Sequence, residues 1–495
     1  MITMSQNMFT SSGYAASAVL ATTAVVYWFY SKKDRNDDAS RRWSYTSHGM
    51  AVGAFPLKVN LPDPIINAVM LFKECPRSQE IVDQIVCKML RYQRLNTVYN
   101  PDTGRGHPCE NLDPHDLVRV IKVEASNQVA LMKFVDQHMH HPLSEGSRGE
   151  LLPWWEFLIL QNIGRGPSAV VWRSHHSLAD GMSMVNIVED IITDLDGNAV
   201  SNILPQGMQK KFKIERSYLD LLLGIFKGLG SFLYMTSGPF DDKTAFCQSK
   251  EMVHNRSRSA VCFEPIPLHF VKDLKNSAGV SINDVIYTCL SQAVHDYLKE
   301  QDDPVLKAKG TSLLCRTLMP MALPGRKGKD KVAMLGNRWC FLSADFAVGI
   351  EGIMDRLSYV HKSMTKLKQG MLPMFVMGAQ NYIAPYLPIA ISRGQVFDLF
   401  ARHSTVFSNV PGPASPCKFA GYEVMGVQMV FSNMVPQVGV ISYRGQLFGN
   451  ITLDPDAIVN SERIPILLSR ALVSMASNLN VDVPQSIRHH AEQGK

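Results

Sequence analysis

A two-lobed α/β body behind an N-terminal membrane helix is the fold class that the sequence predicts, on three observations. The chain has 495 residues, about three times a common domain, which suits two sizeable lobes. Short apolar runs of strand character alternate with amphipathic helical stretches on both sides of a polar, basic and glycine-rich block. Residues 1–31 carry no charged side chain.

The elements follow in order. Tyr14 to Tyr30 is apolar or small throughout, near the short end of the roughly 20 residues that cross a bilayer. Tyr27, Trp28 and Tyr30 fall where an aromatic belt lies, and residues 14–31 therefore read as a transmembrane anchor. No Lys or Arg precedes the run, which argues against a cleaved signal peptide. Lys32, Lys33, Arg35, Arg41 and Arg42 follow it and direct the body to the cytosolic side. A polar tether leads to an N-terminal lobe over 45–205. There Ile65 to Phe72 and Ile81 to Leu90 show helical apolar spacing, and Leu117 to Val123 alternates like a strand. Asn127 to His140 is an amphipathic helix; Phe157 to Gln161 and Ala169 to Arg173 are strands joined by a Gly-Pro turn; Met182 to Leu195 is a helix. Residues 206–255 form the crossover, and 256–485 the C-terminal lobe. Its firmest element is Ser281 to Leu298, where Ser281 caps a helix with Asp284 in its first turn. Val406 to Val410, Val424 to Val430 and Gly439 to Leu453 complete it as strands. Two further greasy stretches, 218–240 and 371–391, are broken by glycines, prolines and Lys227, and read as core helices, membrane-surface segments or walls of an apolar passage.

Composition limits the function. Apolar residues make up 46% and charged residues 19%, which gives a core-rich folded protein rather than a disordered one. The net charge of +6 is spread without a long basic run, so nucleic acid is not an expected partner. Nine scattered cysteines without a C-x-x-C pair argue against a disulfide framework and a zinc ribbon, and fit a reducing compartment.

The chemistry concentrates in Trp172-Arg173-Ser174-His175-His176-Ser177-Leu178-Ala179-Asp180-Gly181, at the end of an apolar strand and before a helix. A histidine there is able to take the proton of a hydroxyl, because its ordinary pKa lies near neutrality, and the oxygen then attacks a thioester without a covalent enzyme intermediate. Asp180 suits fixing the turn, and Gly181 permits close backbone approach. Two competing readings are a metal pair and a purely structural pair. Zinc wants three or four ligands, and adjacent side chains on a strand diverge, so no metal is assigned.

The turn resembles the HHxxxDG signature of the acyltransferases related to chloramphenicol acetyltransferase and the peptide-synthetase condensation domains. More narrowly, the chain is similar to the bifunctional wax ester synthase/diacylglycerol acyltransferases of bacteria and plants, with gaps, from about residue 110 to 470. Pro153-Trp154-Trp155-Glu156, Ile282-Asn283-Asp284-Val285, Arg316 with Met319-Pro320-Met321, Gly336-Asn337, Ser408-Asn409-Val410-Pro411-Gly412-Pro413, Gly421 and Ser442-Tyr443-Arg444-Gly445 carry the likeness. The chain departs from the pattern at Trp154, where leucine is usual, at Arg444, where aspartate is usual, and after Asn337, where Leu-Pro is expected. These departures bear on the acceptor.

The resemblance implies a two-lobed chloramphenicol acetyltransferase-like fold with mixed sheets and a tunnel between lobes. It makes His176 the general base, with His175 and Asp180 as structural support. Gly181, Asn283, Arg316, Ser408 and Asn409 become substrate-binding candidates, beside the alternatives that the Asn283-Asp284 pair caps its helix, that Arg316 enters an internal salt bridge and that the Pro-Gly segment is a rigid turn. It implies transfer of a long-chain acyl group from acyl-CoA, a co-substrate rather than a bound cofactor, to a fatty alcohol or diacylglycerol at the membrane, with the endoplasmic reticulum as the expected location. A non-lipid acceptor, or a catalytically silent lipid-binding protein of the same fold, is the alternative.

Overall fold

The computed structural model describes residues 63–100, 105–109, 111–139, 143, 152–201, 203, 218–247, 258–322, 335–383 and 389–493. The expected anchor at 14–31 lies outside these residues. Among them, no helix is long and apolar enough to cross a membrane.

The N-terminal half supplies strands β1 (Ile65–Phe72), β2 (Val118–Val123), β3 (Trp155–Asn162) and β4 (Ser168–His175), with helices α1 (Gln128–His138) and α2 (Gly181–Ile191). Asn127 caps α1 by accepting the Ala130 N–H, as its position ahead of the amphipathic run predicts. The C-terminal half begins with α3 (Tyr218–Ser237) and continues through β5 (Ser259–Cys262), α4 (Leu268–Ala278), α5 (Ile282–Glu300), β6 (Arg316–Ala322) and β7 (Trp339–Asp345). There follow α6 (Ile353–Gln369), α7 (Leu372–Gly378), α8 (Ile389–Ala401), β8 (Thr405–Val410), β9 (Gly426–Phe431), β10 (Gln437–Tyr443), β11 (Gln446–Leu453) and α9 (Arg463–Leu479).

Two large sheets organise the lobes. The first has strand order β9-β1-β4-β3-β2 and the second β7-β6-β8-β10-β11-β5. Both are mixed: β2 and β3 are parallel in the first, β6, β8 and β10 in the second, and the other neighbours antiparallel. α5 forms as its pattern requires. The Ser281 hydroxyl accepts the Asp284 N–H while the Asp284 carboxylate accepts the Ser281 N–H. The helix then buries Val285, Ile286, Cys289, Leu290, Val294, Tyr297 and Leu298 against α9, α4 and α6 in the larger core.

Ile65–Phe72 is a strand, not the helix that its apolar spacing suggests. It is a central strand between β9 and β4, and its two faces enter different cores, Ile66 and Phe72 on one side and Val69 and Leu71 on the other, so the alternation that marks a half-exposed strand disappears. The sheets also exchange a strand. β9 comes from the C-terminal half yet pairs along β1, with Phe431 opposite Ile66, before the chain returns to the second sheet in β10. The lobe reading of 256–485 contains no such excursion. It is possible because Gly439 lets the sheets approach: a Cβ there meets the Met429 carbonyl oxygen at 2.6 Å.

Candidate active site

β4 is buried along its whole length, and a buried Arg173–Glu156 ion pair, to which Arg119 adds a bond of 2.8 Å, joins it to β3. The turn that follows is pinned from several directions. His175 N–H donates to the Trp154 carbonyl at 2.9 Å and His176 N–H to the Pro64 carbonyl at 2.8 Å. Asp180 accepts the Ser183 N–H at 2.9 Å and so caps α2. Its other carboxylate oxygen accepts the Arg338 N–H at 2.7 Å, and its own N–H donates to the Gly336 carbonyl at 3.1 Å.

The His176 ring is partly buried between Trp339 and Phe431, with ring centroids 5.6 Å away on each side. Its Nδ1 lies 3.1 Å from Asn337 Oδ1. Asn337 Nδ2 donates to the carbonyls of His176 at 2.7 Å and Ser177 at 3.0 Å. Burial lowers the His176 pKa below its ordinary value, an effect that its own backbone carbonyl, Asp180 and Asn337 partly offset. The imidazole is therefore neutral at neutral pH, the state that a proton acceptor needs.

His175 behaves differently. It is buried, stacks on Trp154 with centroids 4.7 Å apart, and meets the Ser177 hydroxyl through Nδ1 at 2.7 Å. Burial pushes its pKa down to about 3, so it is an uncharged packing group. Among the described residues, no group of three or more His, Cys, Asp or Glu side chains is arranged to hold a metal ion.

The remaining predicted residues divide. Gly181 opens α2 opposite Val410 of β8; a Cβ at Gly181 meets Val410 Cγ2 at 3.7 Å, so the Ser408-Asn409-Val410 strand end adjoins the histidine turn. Asn409 Nδ2 donates to Asn283 Oδ1 at 2.6 Å, which joins two of the candidates at the start of α5. Asp284 is a capping residue and also lies 2.9 Å from Nδ1 of His361. Arg316 takes its alternative fate. Its side chain is 1% exposed, its Nε donates to Asp241 at 2.7 Å, and one of its terminal nitrogens donates to the Arg402 carbonyl at 2.8 Å, so the guanidinium is an internal strut. Three residues beside the base were not among those singled out as site residues: Asn337, Trp339 and Phe431. The first two sit at the entry to an alternating strand, Trp339-Cys340-Phe341-Leu342, and the Gly336-Asn337 pair ahead of it was the available signal.

The chain matches the family model "Wax ester synthase/diacylglycerol acyltransferase catalytic domain" over residues 83–286 and the model "WS/DGAT C-terminal domain" over 335–476. It is 21% identical over 457 residues to "Wax ester synthase/diacylglycerol acyltransferase 7" of Arabidopsis thaliana, covering 83% of this chain and 93% of that protein. It is also 21% identical over 366 residues to "Probable diacyglycerol O-acyltransferase tgs1" of Mycobacterium tuberculosis, covering 70% and 75%. In fold it is similar to the wax ester synthase/diacylglycerol acyltransferase of Marinobacter aquaeolei VT8, with a TM-score of 0.59 at 18% identity over 88% of this chain and 98% of that one. The first condensation domain of the calcium-dependent antibiotic synthetase gives a TM-score of 0.55 at 12% identity over 90% and 98%. With two consecutive family models spanning both lobes and the histidine turn built as described, the chain belongs to the wax ester synthase/diacylglycerol acyltransferase family and is an O-acyltransferase of that type.

Proposed function

We propose that the protein transfers a long-chain acyl group from acyl-CoA to a fatty alcohol or diacylglycerol, with His176 as the general base. The observation that carries this reading is a partly buried, neutral imidazole whose Nδ1 is occupied by Asn337, at the point where segments of both halves meet. His176 Nε2 takes the alcohol proton as the oxygen attacks the thioester carbonyl. The tetrahedral intermediate collapses with cleavage of the C–S bond, and the imidazolium returns the proton to the departing thiolate, giving ester and free coenzyme A. On this reading the substrates enter a passage between the lobes, and Ser408, Asn409 and Asn283 line it near Gly181.

Membrane association belongs to the same proposal: an anchor at 14–31, the body on the cytosolic side, and the endoplasmic reticulum as the location. Support comes from apolar side chains left in solvent on α3 and α7, with Leu223 47%, Phe226 69% and Met374 44% exposed. The test is thiol release from a long-chain acyl-CoA by the purified full chain with hexadecanol or diacylglycerol, and product identification by chromatography. His176→Ala lowers the rate by roughly 10²–10⁴. A wild-type protein that loads lipid and releases no thiol is the silent binder instead.

A further inference from the structure

We propose that Asn337 is a positioning residue that fixes the tautomer of His176, so that Nδ1 carries the proton and Nε2 presents its lone pair to the reacting hydroxyl. The inference deepens the reading of His176 as the base and rests on it.

The argument is one of donors and acceptors. An amide side chain has one oxygen that accepts and one nitrogen that donates, and which is which follows from the partners. The Asn337 nitrogen faces two backbone carbonyls, those of His176 and Ser177, at 2.7 and 3.0 Å. Carbonyls only accept. The Asn337 oxygen receives the Trp339 indole N–H at 3.1 Å, and an indole only donates. Reversing the amide would set its oxygen against two acceptors and its NH2 against a donor, so three independent partners fix Oδ1 as the atom facing His176 Nδ1 at 3.1 Å. An acceptor there requires a proton on Nδ1. In the neutral ring, Nε2 is then the basic nitrogen.

The sequence order makes the coupling between halves explicit. The amide that orients the ring precedes β7 of the second sheet, whereas the ring directly follows β4 of the first. The flanking backbone is held to the same turn, with the Gly336 carbonyl accepting from Asp180 N–H and Ser183 Oγ–H, and the Arg338 N–H donating to Asp180. The base is thus usable only when the second half is docked. Free neutral imidazole favours the opposite tautomer, so the protein supplies the preference, through Asn337 Oδ1 beside the backbone carbonyl of His176 itself.

The test reads the tautomer directly, without substrate. In full-length protein labelled with 15N-histidine, the His176 ring signals are assigned by their loss in His176→Gln. Long-range proton–nitrogen correlations then distinguish a ring protonated on Nδ1 from one protonated on Nε2. The wild type is expected to show the Nδ1–H form, and Asn337→Ala to shift to the Nε2–H form with a roughly 10–10²-fold loss in kcat and an unchanged KM for acyl-CoA. Asn337→Asp keeps an acceptor facing Nδ1 but sets its second oxygen against the His176 and Ser177 carbonyls, so it is expected to lower stability while its folded form keeps the Nδ1–H ring. A wild-type ring protonated on Nε2, or an Asn337→Ala ring with the wild-type pattern, overturns the proposal. The wild-type spectrum decides even if the variants fail to fold. An inactive wild type with the Nδ1–H form would refute the acyl-transfer reading and leave the tautomer assignment standing.

Discussion

The carboxylate of Asp180 accepts the backbone N–H of Arg338 at 2.7 Å while its other oxygen caps α2 through Ser183. One buried side chain therefore holds the helix that follows the base and the segment that carries Asn337 into β7. Asp180→Ala removes a cap, which costs about 0.5–2 kcal/mol, and leaves the Arg338 N–H unsatisfied, which costs about 1–3 kcal/mol more. Asp180→Asn presents NH2 to one of two N–H donors. Chemical denaturation is expected to show a lower midpoint for both variants, and acyl transfer to fall with them. Wild-type stability in Asp180→Ala would contradict the role assigned to the bridge.

Acid affects this protein through its buried histidines. The His175 and His403 pKa values are both pushed down to about 3 by burial, against 6.5 for an ordinary histidine. The unfolded chain takes up protons below 6.5 that the native state refuses until about 3, so their contribution is complete above 6.5 and declines as pH falls. Each histidine contributes a slope of about 1.4 kcal/mol per pH unit within that window. Asp136 and Asp241, whose pKa values burial raises to about 6, act in the opposite sense below that pH, so the histidine contribution is read by difference. Between pH 6.5 and 4.5, urea midpoints of His403→Asn are expected to lose less on acidification than those of the wild type, by the slope of one histidine. His176, whose pKa is lowered in the same direction, keeps kcat/KM level through neutrality; the rate falls only when pH drops below its depressed pKa.

Arg316 is a test of stability rather than of binding. Its partner Asp241 is fully buried and also accepts from the Ser404 hydroxyl at 2.6 Å, so Arg316→Ala strands a charge in the interior. A loss of about 3–5 kcal/mol is expected. KM for acyl-CoA, measured below the lowered melting temperature, is expected to match the wild type. A several-fold rise in KM would return the guanidinium to the donor site.

Much of this was legible in the sequence where the relevant residues are contiguous. The histidine turn, the Asp180 cap and the Ser281/Asp284 capping box each act within a few residues, and local pattern encodes them. The β1 strand was misread because burial on both faces removes period-two alternation, the one cue that separates such a strand from a helix. Asn337, Trp339 and Phe431 could not be attached to His176 at all. Their proximity depends on which sheet β9 joins and on how β7 is entered, and an alternating run does not name its partner strand.

The exposed apolar face of α3 and α7 gives the last prediction. The helices pack closely at Gly228, where a Cβ meets the Phe375 ring at 2.8 Å, and this packing leaves Leu223, Phe226 and Met374 pointing to solvent. Lys227 is exposed on α3, and Lys366 and Lys368 are exposed in the last turn of α6, which leads into α7. Apolar side chains rimmed by lysine suit the boundary of a phospholipid surface, from which a greasy acceptor is drawn. Phe226→Glu combined with Met374→Glu changes only exposed positions, so the melting temperature is expected to stay near that of the wild type. Transfer to an acceptor embedded in phospholipid vesicles is expected to fall about tenfold, through loss of roughly 1.4 kcal/mol of surface attachment. Transfer to a short, soluble alcohol is expected to be unchanged. Equal losses with both acceptors would mean that these side chains act on the catalytic body itself, and equal activity with both would remove this face from lipid capture.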